Sequence, residues 1–472
     1  MTTNDMHELP VAVIGAGPIG LAAAAHLAER GVAVKVYEAG ARVGANLSDW
    51  AHVRVFTTWE QNVDTASRRL LEATGWTLPD PQSLPTGGEI VRHYLEPLAR
   101  TPLLAPAIET GARVLHIART GIDKTTSGRR AATPFELRIA PDDGRQRTDR
   151  ARAVIDASGT WQNPNPAGAN GFAAEGEHEF ADRIAYGMPD VLGRQRARYA
   201  GKRIAVIGSG YSAINTLLDL AELRESAPTT RIRWIVRGSN LNRIYGGGEA
   251  DGLPARGRLG DRLRPIVESG GIALVTGFRT QAIVADGDAL ALRGTTENGS
   301  AAVPGLDEIV VVTGQRPDIS MTRELRLELD PWLESVKVLG PLIDPNVHVC
   351  GTVPPHGHRE LLHPEPDFYT IGVKSYGRAP TFLLLTGYEQ ARSVAAAIAG
   401  DRVAADNVQL ELPETGICLD DDEAASARCG GGPSTMEAEE PVAAAAKSAS
   451  AGACCGPAAT PAKPRAAAVE TV

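Results

Sequence analysis

The sequence predicts an α/β fold built on two nucleotide-type βαβ units. Three observations predict it. The apolar run Val11-Ala12-Val13-Ile14 enters Gly15-Ala16-Gly17-Pro18-Ile19-Gly20, an Ala/Leu-rich segment, and a second apolar run over 32–37 that ends at Glu38. Residues 203–207 enter Gly208-Ser209-Gly210-Tyr211-Ser212-Ala213, a helical pattern, and a run over 231–236 that ends at Arg237. Two more buried-type runs break into small residues and turn formers: Asp156-Ala157-Ser158-Gly159-Thr160 and Thr313-Gly314-Gln315-Arg316-Pro317-Asp318.

The first pattern is strand, Gly-x-Gly-x-x-Gly turn, helix, strand and acid, the arrangement of a dinucleotide-binding βαβ unit. Gly15 permits the tight turn, Gly17 lets backbone N–H groups approach a pyrophosphate, and Gly20 lets helix and strand pack. Pro18 opens the helix, whose N-terminus supplies positive potential. Glu38 stands where a carboxylate accepts hydrogen bonds from a ribose diol. Arg42 and Gly44, in the following loop, are placed along the same dinucleotide. In the second pattern Ala213 replaces the third glycine and is small enough for the same packing. Gly208 and Gly210 take the turn roles. Ser209 and Ser212 either donate hydroxyls to a pyrophosphate or cap the helix. Arg237, where an acid would select a free diol, suits a 2′-phosphate and favours NADPH. Two such units imply two dinucleotides and electron transfer between them.

Composition sets the outer bounds. At 472 residues two or three domains are expected. The net charge of −9 argues against nucleic acid as a partner, and most of it lies beyond Arg402. No apolar run is long enough for a membrane span, and the N-terminus reads as no signal peptide, so a cytoplasmic protein is expected. Four of the five cysteines follow residue 417 and none precedes residue 350, which is no disulfide framework.

Residues 45–86 read as irregular structure with short helices, and 86–98 as a helix. Alternating segments at 112–118, 134–140 and 147–155 read as a β-meander. A Gly/Arg loop at 238–260 and a short helix at 260–269 follow the second glycine motif. A strand is expected over 346–352, ending at Gly351, and a helix over roughly 381–399 with Pro380 in its first turn. Residues 403–472 turn acidic and then Ala/Pro-rich, and 415–472 read as disordered.

With these motifs in place, the chain resembles the two-dinucleotide-binding flavoproteins, in their flavin-containing monooxygenase-like branch, over about residues 9–402. The resemblance implies an FAD-binding Rossmann-like domain in two segments (9–162 and 305–402) around an inserted NAD(P)H-binding Rossmann-like domain (163–304). It implies FAD on the first unit, with Ser158, Gly159, Thr313, Gly314 and Gly351 at crossing points, and NADPH on the second. Two departures stand out. The Phe-x-Gly-x-x-x-His expected before the second glycine motif is absent from 180–190. Thr352 follows Gly351, where relatives place an Asp. With no cysteine in 1–349, a disulfide-reductase relay through an internal dithiol is excluded. A weaker resemblance to flavoproteins that accompany arsenic-resistance genes rests on the tail. There Cys418, Cys429, Cys454 and Cys455 are either soft-metalloid ligands or unselected residues.

Lys374 and Arg378, ahead of the last helix, are candidates for tuning a flavin. Trp50, Trp59 and Tyr94 either surround it or belong to the core. His348, His356, His358 and His363 have a loop spacing that does not suit zinc. No catalytic residue is identifiable. The sequence thus points to an FAD-dependent NADPH oxidoreductase, a monooxygenase on a small molecule. Its rivals are a reductase that inserts no oxygen, and a non-enzymatic metalloid binder or redox sensor.

Overall fold

The computed structural model describes residues 6–142, 144–239, 245–348 and 352–413. The first unit opens with β1 (Val11–Ile14), α1 (Pro18–Glu29) and β2 (Val34–Tyr37). A short α2 (Ala45–Asp49) and α3 (Thr65–Glu72) follow, then a helical stretch from Gly87 to Ala99 whose centre, Val91–Leu95, is a π turn. The chain re-enters the sheet at β3 (Ile108–Glu109) and makes an antiparallel meander of β4 (Ala112–Arg119), β5 (Phe135–Pro141) and β6 (Arg147–Ala151). It then crosses the sheet as β7 (Ala153–Asp156). The segment expected as one strand over 147–155 is therefore two. Its first half alternates exposed and half-buried residues at a sheet edge, whereas Ala153–Asp156 is buried on both faces.

The second unit runs through β8 (Ile184–Tyr186), β9 (Arg203–Ile207), α4 (Tyr211–Ser226), β10 (Arg231–Ile235), α5 (Pro254–Glu268) and β11 (Ala273–Val275). A second meander, β12 (Arg279–Asp286), β13 (Ala289–Thr296) and β14 (Gly299–Leu306), leads to β15 (Glu308–Val311). Helix α5 starts earlier than expected because Pro254 takes its first turn. Strand β15, expected beyond a boundary at 305, pairs in parallel with β9 and β8, so the second sheet draws on both sides of that boundary. The chain returns to the first sheet at β16 (Phe368–Thr370) and ends the described fold with α6 (Leu384–Ile398) and a last turn, Arg402–Asp406.

The two main sheets, in the orders β16-β7-β1-β2-β3 and β11-β10-β9-β15-β8, are wholly parallel. Their central strands read as continuous apolar runs because helices or meanders cover both faces. Residues 346–348, expected to begin a strand, form a turn and its exit, with Asp344 accepting from the Asn346 amide; residues 349–351, Cys350 and Gly351 included, lie outside the described residues. The strand beside β7 is β16 instead. Helix α6 starts at Leu384, four residues after Pro380, so Pro380 is not in its first turn. No helix among the described residues is long and apolar enough to cross a membrane.

Candidate functional site

The two glycine turns have matching geometry. Gly15 has φ +96°, and a Cβ there would lie 2.7 Å from the Ala157 carbonyl oxygen. Gly208 has φ +139°, and a Cβ would lie 2.3 Å from the Val312 carbonyl oxygen. Each first glycine therefore lets the turn press against the end of the crossing strand. At Gly17 and at Gly210 a Cβ would meet nothing within 4 Å. These second glycines N-cap α1 and α4 without any side-chain cap, and the space beside each glycine is open. At the third position, a Cβ on Gly20 would fall 1.9 Å from the Gly15 oxygen, while Ala213 is fully buried. These cradles fit two pyrophosphates. Ser209 does not cap α4, and the Ser212 carbonyl accepts from the Thr216 hydroxyl at 2.9 Å.

Glu38 closes the first cradle. Its carboxylate accepts from the Ala16 amide and from the Gly40 amide, both at 2.7 Å. Burial pushes its pKa up while those two amides pull the other way, and the balance is a raised value. Gly44, at φ +66°, donates its amide to the Ala16 oxygen at 3.0 Å, so the loop after β2 lies along the first turn. Arg42 on that loop is exposed.

Beside this turn lies a buried polar cluster. Asp156 ends β7 level with Ile14, and Lys374 Nζ meets its Oδ2 at 2.7 Å. Ser158 donates its hydroxyl to Asp156 Oδ1 at 2.6 Å and accepts from Lys374 Nζ at 3.0 Å. Lys374 stands on a one-turn 3-10 helix, Gly372–Tyr376, which touches α1 through Ile19 and reaches Gly159 through Val373. Lys374, a candidate for tuning a flavin, has its charge matched by Asp156. Arg378 stands apart, half-exposed, with Nη1 3.7 Å from Glu334. The N-terminus of α6, without a side-chain cap, packs on Ile19 through Gly387 and carries the buried Thr386.

The crossing residues of the second sheet bond to the linker that follows the first unit. The Thr313 hydroxyl donates to the Asn165 oxygen at 3.1 Å, the Gly314 oxygen accepts from the Asn165 amide at 2.9 Å, and Arg316 Nε donates to Asn165 Oδ1 at 2.9 Å. They zip the two linkers together. A cleft of about 270 Å³ opens there, between Trp161, Gln162, Tyr186 and Gln315. Gln162 Nε2 also donates to Asn46 Oδ1 at 3.0 Å, which joins the cleft to α2. Arg237 is exposed and donates to the Ala169 oxygen at 3.0 Å.

Of the aromatics, Trp59 and Tyr94 are core residues, while Trp50 tilts against Trp161 at 6.4 Å. His356, His358 and His363 are buried with separate partners, and no metal-capable cluster exists among the described residues. Cys418, Cys429, Cys454 and Cys455 lie outside the described residues. Asp156 is the site residue that the sequence left without a role. Its signal was an acid closing an otherwise apolar buried run.

The fold is similar to that of solved flavoenzymes of two kinds. The bacillithiol disulfide reductase of Bacillus cereus superposes with a TM-score of 0.61 at 18% identity, covering 83% of this chain and 99% of that one. The cadaverine monooxygenase of desferrioxamine biosynthesis from Erwinia amylovora gives 0.57 at 13%, covering 85% and 96%. The ornithine hydroxylase of Pseudomonas aeruginosa gives 0.55 at 14%, covering 83% and 99%. No curated protein matches the sequence. The family model for pyridine nucleotide-disulphide oxidoreductases matches residues 9–353, so the chain belongs to that family and is an FAD-dependent NAD(P)H oxidoreductase.

Proposed function

We propose that the protein is an NADPH-dependent flavoprotein monooxygenase acting on a small molecule. The observation that carries this reading is the pairing of two complete glycine cradles with the absence of cysteine from residues 1–349. FAD, when bound, accepts a hydride and hands the electrons on; without a dithiol in 1–349, the acceptor is brought from outside, and oxygen is the acceptor proposed. The chain's residues then have these roles. Gly15, Gly17, Gly20, Glu38 and Gly44 hold the FAD diphosphate and ribose. Ser158, Gly159 and Lys374 line its inner end, and the N-termini of α1 and α6 face it with positive potential. Gly208, Gly210 and Ser212 hold the nicotinamide dinucleotide, with Arg237 for a 2′-phosphate. The matched Lys374–Asp156 pair gives the inner end a fixed dipole without net charge. The cleft at Trp161 and Gln162 is the proposed entry for substrate.

The test is anaerobic reduction of the holoprotein with NADPH followed by rapid mixing with oxygen. A transient absorbing in the near-ultraviolet, before the oxidised spectrum returns, supports the monooxygenase. Direct return to the oxidised spectrum supports the second reading, a reductase of an external acceptor, which the missing Phe-x-Gly-x-x-x-His favours. The metalloid reading rests on the tail cysteines alone. Turnover that survives deletion of 415–472 would leave the tail an accessory.

A further inference from the structure

We infer that Gln390 and His356 are positioning residues that hold the Gly372–Tyr376 turn, and through it Lys374, in register with Asp156 and Ser158. This rests on the cofactor reading above. Neither residue reaches the glycine turn; both act through the 3-10 segment that lies beside it.

Gln390, Ser375, His356 and Tyr376 are all fully enclosed. From α6, Gln390 Oε1 accepts the Gly372 amide at 2.7 Å, while its Nε2 donates to Ser375 Oγ at 3.0 Å. Ser375 closes the ring by donating its hydroxyl to the Gly372 oxygen at 2.8 Å. The turn has no side-chain cap of its own, and Gly372 sits at φ +72°. One amide side chain therefore supplies both the acceptor and the donor that the turn lacks.

The orientation of that amide is set by His356. Its Nδ1 lies 3.0 Å from the Pro354 carbonyl oxygen, which can only accept, so Nδ1 carries the ring proton. Nε2 is then a bare acceptor, approached by Gln390 Nε2 at 3.3 Å and by the Tyr376 hydroxyl at 3.4 Å. The amide nitrogen must face the imidazole, and the amide oxygen must face Gly372. A protonated imidazole would set N–H against N–H and turn the amide over. Burial holds the His356 pKa down, and the surrounding charges are already engaged: Glu360 accepts the Gly357 amide, and Glu389 is paired with Arg392. A neutral ring, a fixed amide, a fixed turn and a placed ammonium follow one another.

The test uses the full-length holoprotein and the variants Gln390→Leu and Gln390→Glu. It measures FAD affinity by flavin fluorescence at about pH 8 and about pH 5.5, with the flavin midpoint potential at about pH 7.5. Gln390→Leu strands the Gly372 amide and is expected to weaken FAD about tenfold at both pH values and to shift the potential. Gln390→Glu keeps the acceptor for Gly372 but sets a carboxylate against the bare Nε2. It is expected to bind FAD weakly at the higher pH and to recover at the lower, where a proton on Nε2 restores the match. Recovery on acidification is something a general packing defect would not show, and it decides the question even if the Leu variant fails to fold. A Gln390→Glu protein whose FAD affinity is the same at both pH values relative to wild type overturns the inference, as does wild-type affinity and potential in Gln390→Leu. A wild-type protein that takes up no FAD at all would instead bring down the cofactor reading beneath it.

Discussion

Replacing Lys374 by Met leaves the Asp156 carboxylate, 1% exposed, without its cation. Removing one partner of a buried ion pair costs about 3–5 kcal/mol, far more than the pair itself contributes relative to an apolar substitute. Lys374→Met is therefore expected to lower unfolding stability in urea by that order, and the double variant Lys374→Met/Asp156→Asn to recover most of it. His363 supplies a pH dependence. Burial lowers its pKa from 6.5 to about 4, so the unfolded chain takes up the proton first. The stability contributed is whole above pH 6.5 and is lost as pH falls toward 4, by about 3 kcal/mol. Urea titrations across that range are expected to show the loss, and His363→Asn to flatten it. At this scale legibility follows sequence distance. Glu38 was readable because its partners, the Ala16 and Gly40 amides, lie within one βαβ unit. Lys374 and Ser158, which share a hydrogen bond, are 216 residues apart, and no local pattern announces such a bond. Thr313 and Gly314 were recognisable as crossing residues, yet their engagement with Asn165 depends on where a distant linker lies.

At the scale of elements, the two glycine turns are separable devices. A Cβ at Gly208 would sit 2.3 Å from backbone at the end of β15, on the second sheet only. Gly208→Ala is expected to keep bound flavin and to lose nicotinamide-dependent reduction by about a hundredfold, since backbone must shift to admit the methyl. Gly20→Ala, whose Cβ would fall 1.9 Å from the Gly15 oxygen, is expected to purify without flavin. Absorbance at the flavin band and reduction rates on added FAD separate the two outcomes. The βαβ elements were legible because a short apolar run, a glycine turn and a helix-length segment follow one another over a short span. The 147–155 run was not resolved into two strands. An edge strand and a central strand meet there within two residues, and only their burial tells them apart. Likewise the return strand Phe368–Thr370 is three residues long and carries no periodicity to read.

For the whole molecule, the architecture sets where electrons can go. Two parallel sheets carry one cradle each, and the linkers that join them are zipped through Asn165, Thr313, Gly314 and Arg316. Fold class and the presence of two dinucleotide sites were legible from repeated motifs. The substrate was not, because the cleft at Trp161, Gln162, Tyr186 and Gln315 is assembled from loop residues and the end of β8. The account's central claim is that reduced flavin passes its electrons to an external acceptor rather than to a dithiol of this chain. An anaerobic titration of the holoprotein with NADPH tests it most directly, read as flavin absorbance against equivalents added. The account predicts full reduction at one equivalent per flavin, with no further uptake. A second equivalent consumed before the flavin is fully reduced would mean a dithiol in the circuit, and would contradict it.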